Sequence, residues 1–352
     1  MIRPDEAAPV RDGEGLDAAR LGGYLAARLP GLELPLVVRQ FPSGFSNLTY
    51  LLTAGRRDMV LRRPPAGTRP QSGHDMGREF RVLTALQGVF AESPRPIHWC
   101  EDEAVIGAPF YLVERIRSII LRRDYPADLE PVPALVRAQQ CALVDTLARL
   151  HAIDYRAHGL ADFGRPEGYA QRQVEGWAAR YARARTDDAV RADAVVEWLA
   201  ARVPPESASP TLIHNDYKLD NVVFDAADPG RLVGVLDWEM ATVGDPWMDL
   251  GCSLAYWIEA GDPAELLATR MLPTQLPGSL TRGEVIERYA AARGLSAPDF
   301  RFYRVFGLFR LAVIVQQIYY RFFHGQTRDA RFGALGPMAR VLIDSAAREA
   351  RA

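Results

Sequence analysis

The sequence predicts an α+β fold in which an N-terminal lobe with an antiparallel sheet is followed by a mainly helical C-terminal lobe. Two β-rich runs, 47–53 and 58–62, flank the segment 54–57 (AGRR), which is typical of a hairpin turn. Beyond residue 117, apolar residues recur mostly at helical spacing. These observations indicate that strands come first and helices follow.

The N-terminal lobe is expected to contain one helix and two further strands. Residues 77–87 carry apolar side chains on one helical face, and prolines at 94 and 96 end that element. The strands are expected near 97–100 and 110–116. The C-terminal lobe is expected to contain helices over 135–151, 171–184, 192–201, 284–292, 300–323 and 338–350.

A β island interrupts the helical part. Residues 211–224 (TLIHNDYKLDNVVF) and 232–238 (LVGVLDW) each carry an apolar run around polar residues, and a turn at 228–230 separates them. The expected organisation is a loose tail over 1–15, an N-terminal lobe over 16–116 and a C-terminal lobe over 117–352.

Composition and charge narrow the class of protein. The 352 residues have a formal net charge of −2, which provides no global field for attracting nucleic acid or an anionic membrane. The three cysteines of the chain form no C-x-x-C pair, and residues 1–15 lack the apolar stretch of a secretion signal. The most apolar segment, 308–320, is too short to cross a bilayer. We expect a cytoplasmic protein without membrane or nucleic-acid partners.

Lysine is almost absent from the chain. Of 42 basic residues, Lys218 is the only lysine, and all the others are arginine. A GC-rich coding bias explains the arginines, and a lysine that persists under such a bias has a raised chance of being required as lysine.

The β island contains the residues that point to chemistry. The segment 214–221 (HNDYKLDN) separates the carboxylate of Asp216 from the carboxamide of Asn221 by a short loop, and Asp237 ends the next apolar run. Phosphoryl transfer requires a carboxylate that accepts the proton of the attacking hydroxyl, and oxygen ligands that hold Mg²⁺ against the phosphates. The alternative is that His214 and the acids only cap turns. The lone lysine inside the motif and the acid after the next strand favour the phosphoryl-transfer interpretation.

The same segment resembles the H-R-D-L-K-x-x-N catalytic loop of protein kinases. Over about 41–326, the chain resembles the aminoglycoside phosphotransferase and choline kinase-like superfamily, and within it the phosphotransferase domains associated with acyl-CoA dehydrogenases. The matching motifs are 41–50 (FPSGFSNLTY), 60–62 (VLR), 150–154 (LHAID), 214–221, 237–239 (DWE), 244–246 (GDP) and 249–251 (DLG). The resemblance implies a protein-kinase-like bilobal fold and a kinase that uses Mg²⁺ and ATP, or GTP.

The resemblance also implies roles for individual residues. Asp216 would be the catalytic carboxylate, Lys218 a cation against the γ-phosphate, and Asn221 and Asp237 the Mg²⁺ ligands. Arg62 would contact the α- and β-phosphates and pair with Glu79. Residues expected around the nucleotide are Ser43, Gly44, Ser46 and Asn47 over the phosphates, and Glu114, Arg115 and Ile116 at the adenine hinge. His214 and Asp249 are expected to brace the loop.

Charge indicates the class of acceptor. Residues 162–202 contain seven acids and seven arginines, and residues 299–331 contain six arginines and two acids. This balance favours an anionic or neutral small-molecule hydroxyl acceptor over a polycation, and with the family likeness it favours a hydroxy acid or its CoA thioester. Aminoglycoside or choline-type kinases, and a catalytically silent nucleotide-binding regulator, remain alternatives. A further alternative is a coenzyme-A or partner-binding module that uses Arg115, Arg117, Arg122 and Arg123.

Arg310 occupies the most apolar part of the predicted helix 300–323. We expect its guanidinium to be buried, which is costly unless an anion pairs with it. The expected partner is an internal acid such as Glu259, or else a carboxylate or phosphate of the substrate.

Overall fold

A computed structural model describes residues 5–41, 47–65, 75–327 and 329–352. The chain divides into two compact units. Unit 1 consists of Met1–Ile120 and Val222–Ala241, and unit 2 consists of Leu121–Asn221 and Thr242–Ala352. The chain therefore leaves unit 1, returns to it for about 20 residues, and ends in unit 2.

Ten β-strands occur in the described residues. In chain order they are β1 (Leu36–Gln40), β2 (Leu48–Ala54), β3 (Arg57–Arg63), β4 (Pro96–Cys100), β5 (Phe110–Glu114), β6 (Ser118–Ile119), β7 (Thr211–Ile213), β8 (Val222–Asp225), β9 (Leu232–Val235) and β10 (Thr242–Gly244).

Unit 1 contains a five-stranded antiparallel sheet in the order β1-β2-β3-β5-β4 and a three-stranded antiparallel sheet in the order β6-β8-β9. Strands β2 and β3 form the predicted hairpin, with Ala54 opposite Arg57. The two-residue turn needs a positive φ at its first position, and Gly55 provides it with φ +57°. Two helices, α1 (Ala18–Ala26) and α2 (Met76–Ala85), complete the described part of this unit.

One hydrophobic core joins α1 to the large sheet. Leu21 and Leu25 of the helix are fully buried, as are Tyr50, Leu52 and Leu61 of the strands. Because successive residues of a strand alternate between its faces, Met59 and Leu61 enter this core while Arg62 lies on the opposite face. The alternation places the Arg62 side chain on the face away from this core, where it can contact polar residues.

The segment 1–15 differs from the loose tail that we expected, in the part that the structure describes. Ala8 forms an antiparallel bridge with Gln40, and the Asp5 amide donates to the Ser118 carbonyl over 2.9 Å. Ala7 is buried. These contacts join the described part of the segment to unit 1, because unpaired edge groups of the sheet accept it as a partner.

Unit 2 is mainly helical. Its helices in the described residues are α3 (Pro133–His151), α4 (Tyr169–Ala184), α5 (Asp193–Ala200), α6 (Pro246–Leu254), α7 (Ala264–Ala268), α8 (Arg282–Arg293), α9 (Arg301–Phe323) and α10 (Leu335–Arg351). Strands β7 and β10 pair as a small antiparallel sheet within this unit. Among the residues that the structure describes, no helix combines the length and apolar character that crossing a bilayer requires.

Helices α6 and α9 approach each other at two glycines. A Cβ on Gly307 would lie 2.2 Å from the Gly251 carbonyl oxygen, and a Cβ on Gly251 would lie 2.6 Å from the Tyr303 carbonyl oxygen. Only glycine permits so close an approach of two backbones. The contact brings α9, which carries Arg310, against the helix that carries Asp249.

The α+β class, with an N-terminal antiparallel sheet and a helical remainder, is confirmed. The long helices lie within three residues of their expected bounds, because their apolar spacing is a local signal. The predicted strands of the β island are present, but they belong to different sheets: in unit 1 β8 pairs with β6 and β9 pairs with β8, whereas in unit 2 β7 pairs with β10. Helices α1, α6 and α7 were not predicted, although Asp245 as N-cap and Pro246 at the first position are start signals for α6.

Candidate functional site

Arg62 of β3 lies at the centre of an ionic network in unit 1. Its Nη1 donates to Oε1 of Glu79 over 2.6 Å, and its Nη2 donates to Oδ1 of Asp237 over 2.8 Å. The carboxylate of Glu239 lies 3.7 Å from the same Nη2. A planar guanidinium bridges two acids in this way because its two terminal NH₂ groups each donate to a different carboxylate.

Glu79 connects helix α2 to the segment after β9. Its side chain is 1% exposed, and its Oε1 also accepts from the Trp238 amide over 3.1 Å. Asp237, which precedes Trp238, has φ +65°, a conformation that is costly for a residue with a Cβ. Two hydrogen bonds support this unusual backbone conformation of Asp237: the following amide, that of Trp238, donates to Glu79, and the Asp237 carboxylate accepts from Arg62.

Burial and charge oppose each other in this network. Burial alone would lower the pKa of Arg62, but the carboxylates of Glu79, Asp237 and Glu239 outweigh it, and the pKa lies well above its usual value. Burial raises the pKa of Glu79, and Arg62 opposes that shift. The Nε–H of Arg62 is buried and has no hydrogen-bond partner among the described residues.

The remaining nucleotide residues expected from the sequence lie in different surroundings. Ser43, Gly44 and Ser46 fall outside the described residues. Asn47 is 2% exposed, and its Nδ2 donates to Oε2 of Glu239 over 2.5 Å, so the end of the expected phosphate loop contacts the Asp237 segment.

The expected hinge follows β5. Glu114 is ion-paired with Arg95, and Arg115 contacts Oδ2 of Asp58 over 3.0 Å. Arg117 contacts the same oxygen over 2.8 Å. Because Asp58 is ion-paired with both Arg115 and Arg117, these two arginines do not form a patch of uncompensated positive charge. Ile116 packs against Gly234 of β9, where an added Cβ would lie 2.6 Å from its Cδ1.

The loop that follows β7 in unit 2 is held by Asp249. This residue lies in the first turn of α6 and is 0% exposed. Its two oxygens accept from the backbone amides of His214 and Asn215, each over 2.8 Å, and His151 Nε2 lies 3.1 Å from Oδ2. Burial alone would raise the pKa of Asp249, but the hydrogen bond and charge of His151 and the contacts of His214 lower it.

The loop presents Asp216 to two side chains that follow it. Lys218 Nζ lies 2.6 Å from Asp216 Oδ2, and Asn221 Nδ2 donates to the same oxygen over 2.7 Å. Asn221 also donates to the Asp216 carbonyl over 2.8 Å. Asp216, Lys218 and Asn221, all predicted site residues, are therefore in contact through the Asp216 carboxylate.

Lys218 contacts a second acid, Asp220, whose Oδ1 lies 3.4 Å from Nζ. That oxygen is buried and makes no hydrogen bond to a described residue. Burial alone would lower the pKa of Lys218, but Asp216 and Asp220 raise it above its usual value. Burial raises the pKa of Asp220, against the effect of Lys218.

Arg310 is buried, with 4% of its surface exposed, as we expected. The expected internal partner Glu259 is wrong, because this acid interacts with Arg282 instead. The guanidinium of Arg310 donates to the backbone carbonyl of Asn215 over 2.6 Å and lies 5.0 Å from the centre of the Trp177 ring. A backbone carbonyl cannot be predicted as a partner from residue types, since every residue has one.

Some residues at these sites, Glu239 and His151 among them, were missing from our predicted site. Glu239 contacts both Asn47 and Arg62, and His151 contacts Asp249. Both occur in the quoted motifs 237–239 and 150–154, so the signal was present in the sequence. Within the described residues, no group of three His, Cys, Asp or Glu side chains could hold a metal ion.

Comparison with known proteins places this geometry in a family. The profile of the phosphotransferase enzyme family APH matches residues 37–303. Acyl-CoA dehydrogenase family member 10 of Mus musculus is 34% identical over 328 residues, which cover 93% of this chain and 30% of that protein. The chain spans less than half the length of the curated relatives it matches.

Solved structures agree with the family match. A Ralstonia eutropha protein assigned to the aminoglycoside phosphotransferases is 31% identical with a TM-score of 0.81, and the match covers 96% of this chain and 99% of that one. Aminoglycoside phosphotransferase APH(4)-Ia, solved with AMP-PNP and hygromycin B, is 16% identical with a TM-score of 0.58, covering 94% and 98%. The latter likeness concerns the fold alone. The predicted kinase-like fold and family resemblance are confirmed, and the chain belongs to the APH phosphotransferase enzyme family.

Proposed function

We propose that this phosphotransferase is a Mg²⁺-dependent kinase that transfers the γ-phosphoryl group of ATP, or GTP, to a hydroxyl of a small molecule. The arrangement of Asp216 is the main support. Lys218 and Asn221 both contact Oδ2 of its carboxylate, and neither contact uses Oδ1. Oδ1 can therefore orient an acceptor hydroxyl and take its proton as the phosphoryl group transfers.

The roles of the neighbouring residues follow from their chemistry. Lys218 is a compact cation that can neutralise charge on the γ-phosphate. Arg62 is proposed to contact the α- and β-phosphates while Glu79 holds it. Its buried Nε–H has no acceptor in the part of the chain that the structure describes, and a phosphate oxygen would provide one. Ser43, Gly44, Ser46 and Asn47 are proposed to cover the phosphates, and Glu114, Arg115 and Ile116 to contact the adenine.

The donor set suits magnesium. We propose Asn221 and Asp237 as ligands, because the Nδ2 of Asn221 is held by Asp216 and its carboxamide oxygen is the atom that can bind a metal. Mg²⁺ is commonly bound through one or two protein oxygens with water and phosphate completing the shell, so a cluster of three acids is not required. The ion would neutralise phosphate charge and align the transferred group.

An anionic or neutral acceptor is supported by charges in unit 2. Arg180 of α4 and Arg310 of α9 lie 4.7 and 5.0 Å from the centre of the Trp177 ring. Burial, together with the like charges of Arg183 and Arg310, lowers the pKa of Arg180. A polycation would add to this repulsion, whereas a carboxylate or phosphate would relieve it. The relative named for an acyl-CoA dehydrogenase adds support for hydroxy acids or their CoA thioesters.

The two lobes of the sequence interpretation are part of the proposal. Residues 16–116 are proposed to bind the nucleotide, and residues 117–352 to carry out catalysis and bind the acceptor. A reducing, cytoplasmic setting is also proposed, since Cys100, Cys141 and Cys252 are all free thiols.

A phosphoryl-transfer screen tests the proposal. Mg-ATP and Mg-GTP would be incubated with hydroxy acids, their CoA thioesters, kanamycin and choline, and phosphorylated products detected by mass spectrometry. We expect transfer to the anionic compounds, and a loss of at least about 1,000-fold in Asp216→Asn. Asp225→Asn is the matched control, because Asp225 ends β8 and pairs with the exposed Arg231. Efficient transfer to kanamycin alone would contradict the acceptor assignment, and absence of transfer with every acceptor would favour the silent regulator.

A further inference from the structure

We propose that Arg310 is a positioning residue that orients the catalytic carboxylate by holding the peptide unit between Asn215 and Asp216. This inference rests on the proposed role of Asp216. Its central observation is the hydrogen bond from Arg310 Nη2 to the Asn215 carbonyl, 2.6 Å long, between helix α9 and the residue directly before Asp216.

The peptide unit between Asn215 and Asp216 is held at both ends. Arg310 donates to its carbonyl oxygen, and its amide, the Asp216 N–H, donates to His214 Nδ1 over 3.3 Å. A peptide unit is planar, so fixing both its oxygen and its hydrogen fixes its rotation. The position of the Asp216 Cα, and with it the direction of the carboxylate, follows from that rotation.

Asn215 requires such support because its φ is +64°. For a residue with a Cβ, this left-handed conformation is less favourable than the right-handed one, although asparagine adopts it more readily than most. Three contacts of Asn215 with described residues matter here: its amide donates to Asp249, its side-chain Oδ1 accepts from the Tyr169 hydroxyl over 3.0 Å, and its carbonyl accepts from Arg310. The interaction with Arg310 is the only one of these three that acts on the peptide unit leading into Asp216.

The burial of Arg310 argues that the guanidinium is needed for this bond. A buried cation carries a large desolvation cost, and an apolar side chain of similar volume would fill the same space without it. Burial alone would lower the pKa of Arg310, but Cys252, Tyr256 and Asp216 raise it above its usual value, so the side chain is charged. A charged donor makes a stronger hydrogen bond to a carbonyl than a neutral one.

Helix α9 offers a matched control in Arg304. Arg304 is 7% exposed, and it also donates from a buried guanidinium to a backbone carbonyl, that of Leu254 at the end of α6. Leu254 is not part of the catalytic loop. Arg310→Met and Arg304→Met therefore remove the same chemical group from the same helix, and only the first removes a bond to the loop.

The first measurement is hydrogen exchange of the full-length protein, which needs no substrate. We expect amides 214–216 to exchange at least about tenfold faster in Arg310→Met than in the wild type, and to be unchanged in Arg304→Met. Unchanged exchange of these amides in a folded Arg310→Met protein overturns the proposal. Arg310→Lys, which keeps a charged donor, should give intermediate exchange and serves if Arg310→Met does not fold.

The second measurement is the steady-state hydrolysis of Mg-ATP, in which water is the acceptor. We expect Arg310→Met to lower kcat by about 100-fold with the KM for ATP nearly unchanged, because displacement of a catalytic group by about 1 Å has effects of this size. Arg304→Met should keep kcat within about threefold. An Arg310→Met protein with wild-type kcat overturns the proposal. A wild-type protein that does not hydrolyse ATP does not use water as an acceptor; the acceptor screen then tests the kinase assignment, and hydrogen exchange decides the role of Arg310.

Discussion

Lys218 shows how the surroundings of one residue determine its chemistry. It is the only lysine of the chain, and its ammonium lies between the carboxylates of Asp216 and Asp220. Its side chain is 12% exposed. Two carboxylates stabilise the charged form, so the pKa lies above the usual value although burial alone would lower it. The amine is consequently protonated, which suits contact with phosphate and opposes nucleophilic reactivity.

We predict that Lys218 resists acetylation between pH 7 and pH 9. Acetylation requires the neutral amine, and a raised pKa keeps the protonated form present to higher pH. Removing both acids, in Asp216→Asn with Asp220→Asn, leaves burial as the main influence, which lowers the pKa and should raise the rate at least about tenfold. The extent of acetylation is measured by mass spectrometry of the single lysine peptide.

Asp225→Asn again provides the control. We expect Lys218 in this variant to be acetylated at the same rate as in the wild type. Equal rates in the wild type and in the doubly substituted protein would show that the two carboxylates do not control the amine. The same protection implies that an amine-reactive nucleotide analogue would label Lys218 slowly, even if it binds beside it.

At the scale of elements, the crossing of α6 and α9 determines where two functional side chains lie. Helix α6 carries Asp249, which binds the backbone before Asp216, and helix α9 carries Arg310, which binds the Asn215 carbonyl. Gly251 and Gly307 allow the two backbones to approach, since a Cβ on either would lie within 2.6 Å of a carbonyl oxygen. The two helices therefore hold the same loop from two directions.

We predict that Gly307→Ala destabilises the protein by at least about 2 kcal/mol, because a methyl group against backbone cannot be accommodated by side-chain motion. Gly283→Ala is the matched control in helix α8, where the nearest atom to an added Cβ is 3.9 Å away. There the substitution should stabilise by about 0.5–1 kcal/mol through helix propensity. Urea unfolding measures both changes. A Gly307→Ala protein as stable as the wild type would refute the close contact of the helices.

At the scale of the whole molecule, the proposed nucleotide and catalytic residues occur in both units. Arg62, Glu79 and Asp237 belong to unit 1, and Asp216, Lys218 and Asn221 belong to unit 2. The chain passes between the units directly after Asn221, where the turn Leu219–Asn221 is followed by β8. A functional assignment that covers both units is best tested by a property of the complete protein.

We predict that Mg-ATP stabilises the folded protein. A ligand at 100 times its dissociation constant contributes about 2.7 kcal/mol, which should raise the melting temperature by several degrees. Omitting Mg²⁺ should remove most of the rise in melting temperature, because the metal is proposed to hold the nucleotide phosphates. Asp237→Asn should have the same effect, because it removes a proposed carboxylate ligand of the metal. Differential scanning fluorimetry with and without Mg²⁺ measures it. A rise that is the same with and without the metal would contradict the proposed role of Asp237.

Features that depend on local patterns of residues could be predicted from the amino-acid sequence. Apolar spacing located the long helices, since a helix places residues three and four apart on one face. The segment 214–221 brought Asp216, Lys218 and Asn221 into one cluster, because a short loop and turn leave these side chains little room to separate. The pairing of Arg62 with Glu79 was also predicted, through the family resemblance rather than from spacing.

Features that depend on contacts between residues far apart in the sequence could not be predicted in this way. The strands of the predicted β island lie in two sheets because β8 pairs with β6 and not with β7. Strand pairing uses backbone N–H and C=O groups, which every residue except proline has, so residue types do not identify the partner strand. Arg62 contacts Asp237 across 175 positions of sequence, and Arg310 contacts the Asn215 carbonyl across 95. Apolar surroundings indicated that Arg310 is buried, but its acceptor is a backbone carbonyl, and which of the many carbonyls lies within reach is set by the crossing of α6 and α9 at their glycines.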